Sequence, residues 1–356
     1  MKSRALCTCV IGLFLALAPV AQANTTWYVN GVTGNDSNDC KSRTTACKTI
    51  GHAIVLASSG DSVKVAAATY NENMLNFLTS LNVTGAGAAR TIIDGGGSET
   101  VVLIGGTNVT LAGLTIRNGD GGIFNNQGTL TITNCAIVGN NAFQSGAGID
   151  SYFGSVTTIN NSTVSGNFAT NVDVFGGGIL NEGVMTITNS TISGNSTQAG
   201  YAAGGDIYNE GALAIFNSTI SNGVAANGGG GIYSEPSFGG TVTLQNTIVA
   251  NNPTGGNCSG TFISNGYNLS SDNTCNFSST GDLNNTDPNL GPLQNNGGQT
   301  QTQALLAGSP AIDAGNPNGC TDSNGHMLKT DQRGAPRPDK EDTGGCDMGA
   351  YERQKD

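Results

Sequence analysis

Glu182, Glu210 and Glu235 each lie three residues after an isoleucine (Ile179, Ile207, Ile232) that closes a glycine cluster, GGGI, GGDI or GGGGI. If the clusters are equivalent, the three carboxylates stand in one row. Hard oxygen ligands in a row suit Ca²⁺, and adjacent carboxylates raise one another's pKa, as a glycosidase acid–base pair requires. The plainer reading is a solvated row on an outward turn, because carboxylates mostly face solvent. Phe124, Tyr208 and Tyr233 directly follow isoleucines of the same kind and are expected on the outer face, as ligand-binding rings that stack on sugars. Asp150 and Leu180 interrupt that series. Asp150 and Asp206 flank their isoleucines on opposite sides and are expected on different faces.

Other chemistry is poorly provided for. A polysaccharide lyase needs an Arg or Lys base beside acidic residues that hold Ca²⁺. Between Asp94 and Leu328 the chain carries one arginine, Arg117, and no lysine, and after residue 23 its histidines are His52 and His326. Arg117 with Asp120 reads as a local surface ion pair. Asp331, Arg333, Arg337 and Asp339, in DQRGAPRPD, read as a structural end-cap with internal ion pairs, stiffened by prolines.

The elements that must position these residues follow from a repeat. An asparagine recurs at Asn134, Asn161, Asn189, Asn217 and Asn246, at intervals of 27, 28, 28 and 29, with Gly113 one unit earlier. The flanks repeat as LTITNCAIVGN, TTINNSTVSGN and MTITNSTISGN, each a short alternating strand, a polar corner and another short strand. A period of this length signals a solenoid, and it is too short for a propeller blade. The expected fold is all-β, a right-handed single-stranded parallel β-helix. Its coils stack about 4.8 Å apart, so like residues lie above one another. The five asparagines then form a structural ladder, each bonded to the asparagine and backbone above and below. That reading is preferred over a row of sugar acceptors, which need exposed asparagines. Cys135 replaces the serine of the later units and is expected to be a small inward residue. Ile50, Ala53, Ile54 and Ala57 at helical spacing predict a short N-terminal capping helix within 46–58. The expected organisation is a signal peptide over 1–23, a cap and first irregular coils over 24–94, regular coils over 95–252, irregular final coils over 253–319 and a C-terminal cap segment over 320–356.

Composition bounds the partners. Lys2 and Arg4, the apolar run from Ala5 and the Ala21-Gln22-Ala23 site make a signal peptide, hence a secreted chain. Removing Lys2 and Arg4 from the 14 basic residues leaves 12 against 25 acidic ones, which argues against nucleic acid or an anionic membrane. Charged residues make up 11% of the chain, against about 25% in ordinary domains. Of nine cysteines, Cys7 and Cys9 belong to the signal peptide. Nearness in sequence pairs Cys40 with Cys47, Cys258 with Cys275 and Cys320 with Cys346, leaving Cys135 over.

VAAATYNE (65–72), TGAGAARTIIDGGG (84–97), LAGLTIRNG (111–119), GYNLSSDNTC (266–275), GPLQNNGGQTQTQALLAGSPAIDAGNPNGC (291–320), DQRGAPRPD (331–339) and CDMGAYE (346–352) resemble the choice-of-anchor Q domain proteins. These are exported bacterial right-handed β-helix proteins with a pectin-lyase-like fold. The GGGI and SGN elements are also similar to repeats of polymorphic outer membrane proteins, which are surface adhesins. The resemblance implies architecture and export, and it supplies no catalytic residue. Members often continue past GAYE into an anchoring tail. Here only Arg-Gln-Lys-Asp follows Glu352, so release or non-covalent surface association is expected. The expectation is a non-catalytic module that binds a polysaccharide or cell-surface glycan, with no cofactor unless Ca²⁺ sits on the glutamate row. The alternative is a polysaccharide hydrolase or lyase using stacked carboxylates.

Overall fold

The computed structural model describes residues 24–355 apart from 172, 199 and 341–344, so the signal peptide read over 1–23 lies outside the described residues. The chain winds as the expected parallel β-helix, each regular coil giving one strand to each of three parallel sheets of ten, eight and nine strands. The coil beginning at Gly148 shows the plan, with strands Ile149–Ser151, Val156–Asn160 and Thr163–Ser165 in the three sheets.

Alternation along each short strand sends one residue inward, and the repeat makes those residues coincide from coil to coil. Ile123, Ile149, Ile179, Ile207 and Ile232 stack in register in the eight-stranded sheet. Ile132, Ile159, Ile187, Ile215 and Leu244 do so in the ten-stranded sheet. Ile137, Val164, Ile192, Ile220 and Val249 form the third column. All fifteen are buried, each contributing roughly 1.5–3 kcal/mol by removal from water. The helix Ile50–Leu56 buries Ile50, Ala53 and Ile54 against the first coils, with Thr49 as its N-cap. Cys40–Cys47, Cys258–Cys275 and Cys320–Cys346 are disulfides, and Cys135 is free and fully buried.

The repeated asparagine has a different first duty from the one expected. Asn134, Asn161, Asn189, Asn217 and Asn246 all have φ between 47° and 53°, and Gly113, their counterpart one coil earlier, has φ 62°. The corner demands a left-handed residue, which only glycine and asparagine adopt cheaply. Consecutive side chains bond once, from Asn246 Nδ2 to Asn217 Oδ1 at 3.0 Å. The repeated polar ladders lie elsewhere. In the serine column, Ser218 Oγ accepts from Ser190 N, and Ser190 Oγ accepts from Ser162 N. The SGN asparagines run from Asn140 to Asn167 to Asn195 to Asp206, side chain to side chain at 2.8–2.9 Å.

That second ladder explains an exception in the repeat. A Cβ on Gly178 would lie 2.8 Å from Asn195 Cγ, so the asparagine packs directly on a glycine. In the next coil the sizes are exchanged. Asp206 stands where the glycine was and Gly223 where the asparagine was, and a Cβ on Gly223 would lie 2.7 Å from Asp206 Oδ2. Full burial pushes the Asp206 carboxyl well above the usual carboxylate range.

DQRGAPRPD does not lie at the end of the solenoid, since Gln332 bonds Thr163 and Thr191 and Arg337 bonds Asn189 of the middle coils. Leu305, Ala311 and Met348, of the segment from Leu290 onward, pack instead on Ile248 and Leu269 of the last ones. That segment returns along the flank of the nine-stranded sheet. Thr163 Oγ1 donates to Gln301 O, Asn189 Nδ2 to Thr330 O and Asn217 Nδ2 to Thr321 O. One internal ion pair of the expected kind is present, Arg333–Asp331 at 2.7 Å, whereas Arg337 pairs outside the stretch, with Glu352 at 2.7 Å, both side chains fully buried.

Candidate functional site

The outer surface of the eight-stranded sheet carries the residues singled out for chemistry. Its outward column reads Phe124, Asp150, Leu180, Tyr208 and Tyr233 in consecutive coils. One step past the strand ends stand Glu182, Glu210 and Glu235. Their amides donate to Ser151 O, Asn181 O and Asn209 O of the preceding coil at 2.8–2.9 Å, so Pro236 does not break the register. The three glutamates are therefore a row at coil spacing.

Their environments differ. Burial raises the Glu182 carboxyl. Burial, then the charges of Glu182 and Glu235, raise Glu210. The Ser237 hydroxyl, and then its backbone N–H at 3.0 Å from Glu235 Oε1, donate to the carboxylate and hold Glu235 below the usual range. Burial, followed by the charges of Glu210 and Glu235, raises the Tyr208 phenol.

The three rings do not form one stripe. Tyr208 and Tyr233 stack with centroids 5.0 Å apart and planes 7° apart. Phe175 closes over Tyr208 at 4.5 Å, and Tyr208 is only 4% exposed. The turns that precede these two strands bring Phe175 and Ala203, bridged to each other across consecutive coils, over Leu180 and Tyr208 as a small apolar cluster. Phe124 is separated from the tyrosines by two coils and packs near Tyr152, at 6.1 Å. The aromatic surface that faces solvent belongs instead to the loops on either side of the sheet: Phe143, Phe153, Tyr201 and Phe238 are 64–77% exposed, and Tyr152 is 45% exposed.

The residue the sequence reading undervalued is Asp150. It lies in a cleft of about 330 Å³ with Glu99, Asp120, Phe124, Phe143 and Gly146. Its Oδ1 is buried without a hydrogen-bond partner. Burial, then the charge of Glu182, pushes its carboxyl up to about 7. The signal was present as the carboxylate that interrupts an aromatic series. Asp120 and Arg117 are not paired: Asp120 Oδ1 accepts from Phe143 N, and Arg117 Nε donates to Asp94 Oδ2 at 2.9 Å. Asp150 and Asp206 do point apart, into the cleft and into the wall respectively.

Among the described residues, the one set of three His, Cys, Asp or Glu ligand atoms within 4.8 Å of one another is Cys40, Cys47 and His52, whose sulfurs are joined in a disulfide. The glutamate row does not converge in that way. What the face offers is hydroxyl-accepting carboxylates beside exposed rings, with no basic residue among them.

No family model matches the chain, and no curated protein does. Similar solved structures are pectin-lyase-like right-handed β-helix proteins. The pectate lyase Pel9A is 16% identical, over 93% of this chain and 97% of its own, with a TM-score of 0.46. A mutant pectin methylesterase in complex with a hexasaccharide is 13% identical over 74% and 93%, with a TM-score of 0.45. The pectin methylesterase PemA from Erwinia chrysanthemi is 14% identical over 69% and 81%, with a TM-score of 0.42.

Proposed function

We propose that this chain is an exported, non-catalytic binding protein of the choice-of-anchor Q kind, which holds an uncharged glycan on the outer face of its eight-stranded sheet. The observation that carries the reading is the pairing on one face of the row Glu182, Glu210 and Glu235 with the exposed rings Phe143, Phe153, Tyr201 and Phe238. Rings supply flat apolar area for sugar faces, and carboxylates accept hydroxyl protons. A polyuronate is disfavoured there, because Arg117, the one cation between Asp94 and Leu328, is engaged by Asp94. Three disulfides accord with an oxidising compartment outside the cytosol.

One observation favours a second reading, a polysaccharide hydrolase. Asp150 at about 7 is tuned as a general acid is tuned, in a cleft that also holds Glu99 and Asp120. The two readings separate on a glycan array and a polysaccharide panel. Retention on uncharged glycans, weakened by Phe153→Ala and Phe238→Ala and without new reducing ends, supports the binding protein. Release of reducing ends that Asp150→Asn or Glu182→Gln abolishes would replace it with the hydrolase.

A further inference from the structure

The corner between the ten- and nine-stranded sheets runs the length of the solenoid and is only half occupied. From the strand Thr163–Ser165 onward, the chain's own C-terminal segment lies in it. The corner side chains Thr163, Asn189 and Asn217 hold that segment by its main-chain carbonyls. Thr191 adds a bond to Gln332, and Thr219 Oγ1 accepts from Ala350 N. This half of the corridor is thus a receptor for extended polypeptide.

Toward the N-terminus the same corridor is open. Three stretches of about 380, 470 and 350 Å³ adjoin one another, sharing Gly85 and Ala86 at one junction and Ala88, Ala89, Gly298 and Gln299 at the other. The walls carry Arg43, Lys64 and Arg90 and not one carboxylate. None of the three cations forms an ion pair among the described residues, and all are exposed. Arg90 reaches back to Ala86 O. In a chain with 25 acidic residues and 14 basic ones, a groove whose only charges are positive is a local inversion of sign. Such an inversion attracts and orients an anionic partner.

We infer that the open half of this corridor is a docking groove for an extended, acidic peptide segment of a partner protein, laid in line with the chain's own C-terminal segment. Extended polypeptide is favoured over a polyuronate because the occupied half of the same corner already holds polypeptide by its main-chain carbonyls. This groove lies on different sheets from the acidic, ring-bearing face, so the two assignments stand or fall separately.

The test uses the intact chain and a fluorescein-labelled deca-glutamate peptide, followed by anisotropy at low and high salt. Saturable binding that weakens with salt is expected. The triple replacement Arg43→Gln, Lys64→Gln and Arg90→Gln should lose about tenfold in affinity or more, the order three exposed charge pairs supply. Because those side chains are exposed, its melting curve should match the parent's. Ala89→Trp, which fills the groove without touching a charge, should lose binding as well. Absence of saturable binding overturns the proposal, as does binding unaffected by either variant. Polygalacturonate binding in preference to the peptide would also overturn it, by assigning the groove to an acidic glycan.

Discussion

Replacing Asp150 by asparagine should stabilise this chain at alkaline pH and leave it unchanged in acid. The folded carboxyl titrates at about 7, against an ordinary value of 3.8. Below 3.8 both folded and unfolded chains hold the proton, and the group costs nothing. Between 3.8 and 7 the unfolded chain gives up a proton the folded chain keeps, so stability falls as pH rises, and above 7 the loss is complete. The difference in the two pKa values corresponds to roughly 4 kcal/mol at 1.36 kcal/mol per unit. Asp150 retains partial contact with water, so about 2–4 kcal/mol is the expected range. An asparagine has the same shape and no charge to desolvate. Urea midpoints of parent and Asp150→Asn chains should therefore diverge above pH about 8 and coincide below pH about 3.5, with unchanged slope. Glu182→Gln should lower the titration of Asp150 only in part, because burial is the larger cause and the Glu182 charge the smaller. A stability difference that is constant across pH would refute the reasoning. It would mean that the cleft is wet enough for Asp150 to ionise as it does in the unfolded chain.

At the corner, Asn161→Gly should change stability by no more than about 0.5 kcal/mol, whereas Asn161→Ala should cost about 1–2 kcal/mol, since φ 48° is a left-handed backbone; paired thermal melts distinguish this from a side-chain ladder, which glycine would break. Asn167→Ala should cost about 1–3 kcal/mol in the same assay, because Asn140 N loses its acceptor and the bonds from Asn167 Nδ2 to Ile137 O and Asn195 Oδ1 are lost in a dry wall. Ile187→Ala, in the middle of a fully buried column, should cost about 2–5 kcal/mol by denaturant titration. Added Ca²⁺ should leave the melting temperature unchanged, because the glutamate row does not gather three oxygens; a rise of several degrees would establish a cation site there.

What could be read from the residues was whatever the coil copies. Period, inward isoleucines, register of the glutamates and the three disulfides all follow from spacing, because stacking turns spacing into contact. The period singles out the asparagine, and what all five positions share is a left-handed φ, with one side-chain rung of the expected ladder from Asn246 to Asn217. A chain shows which residue recurs without showing whether its φ or its amide is selected. Gly113 at the equivalent place was the clue, since a glycine can share an asparagine's backbone but not its hydrogen bonds. Tyr208 was misjudged. Strand alternation says which way a side chain points and nothing of what folds over it, and Phe175 and Ala203, which bridge each other one coil apart, cover Leu180 and Tyr208.

The same distinction bears on where this molecule can act. Copied residues are committed to neighbours above and below, so a ligand meets mainly what the coils do not share. Asp150 occupies a column otherwise aromatic or aliphatic, and it keeps an unpartnered oxygen at a cost the repeat does not require. Arg43, Lys64 and Arg90 sit before the regular beat, along the stretch of corner that the C-terminal segment borders only at Arg90, through Gly298 and Gln299. One departure adds a buried carboxylate and the other an uncovered row of cations, and packing accounts for neither. On the proposed readings, one face offers acceptors to hydroxyls and the other offers positive charge to an acidic strand.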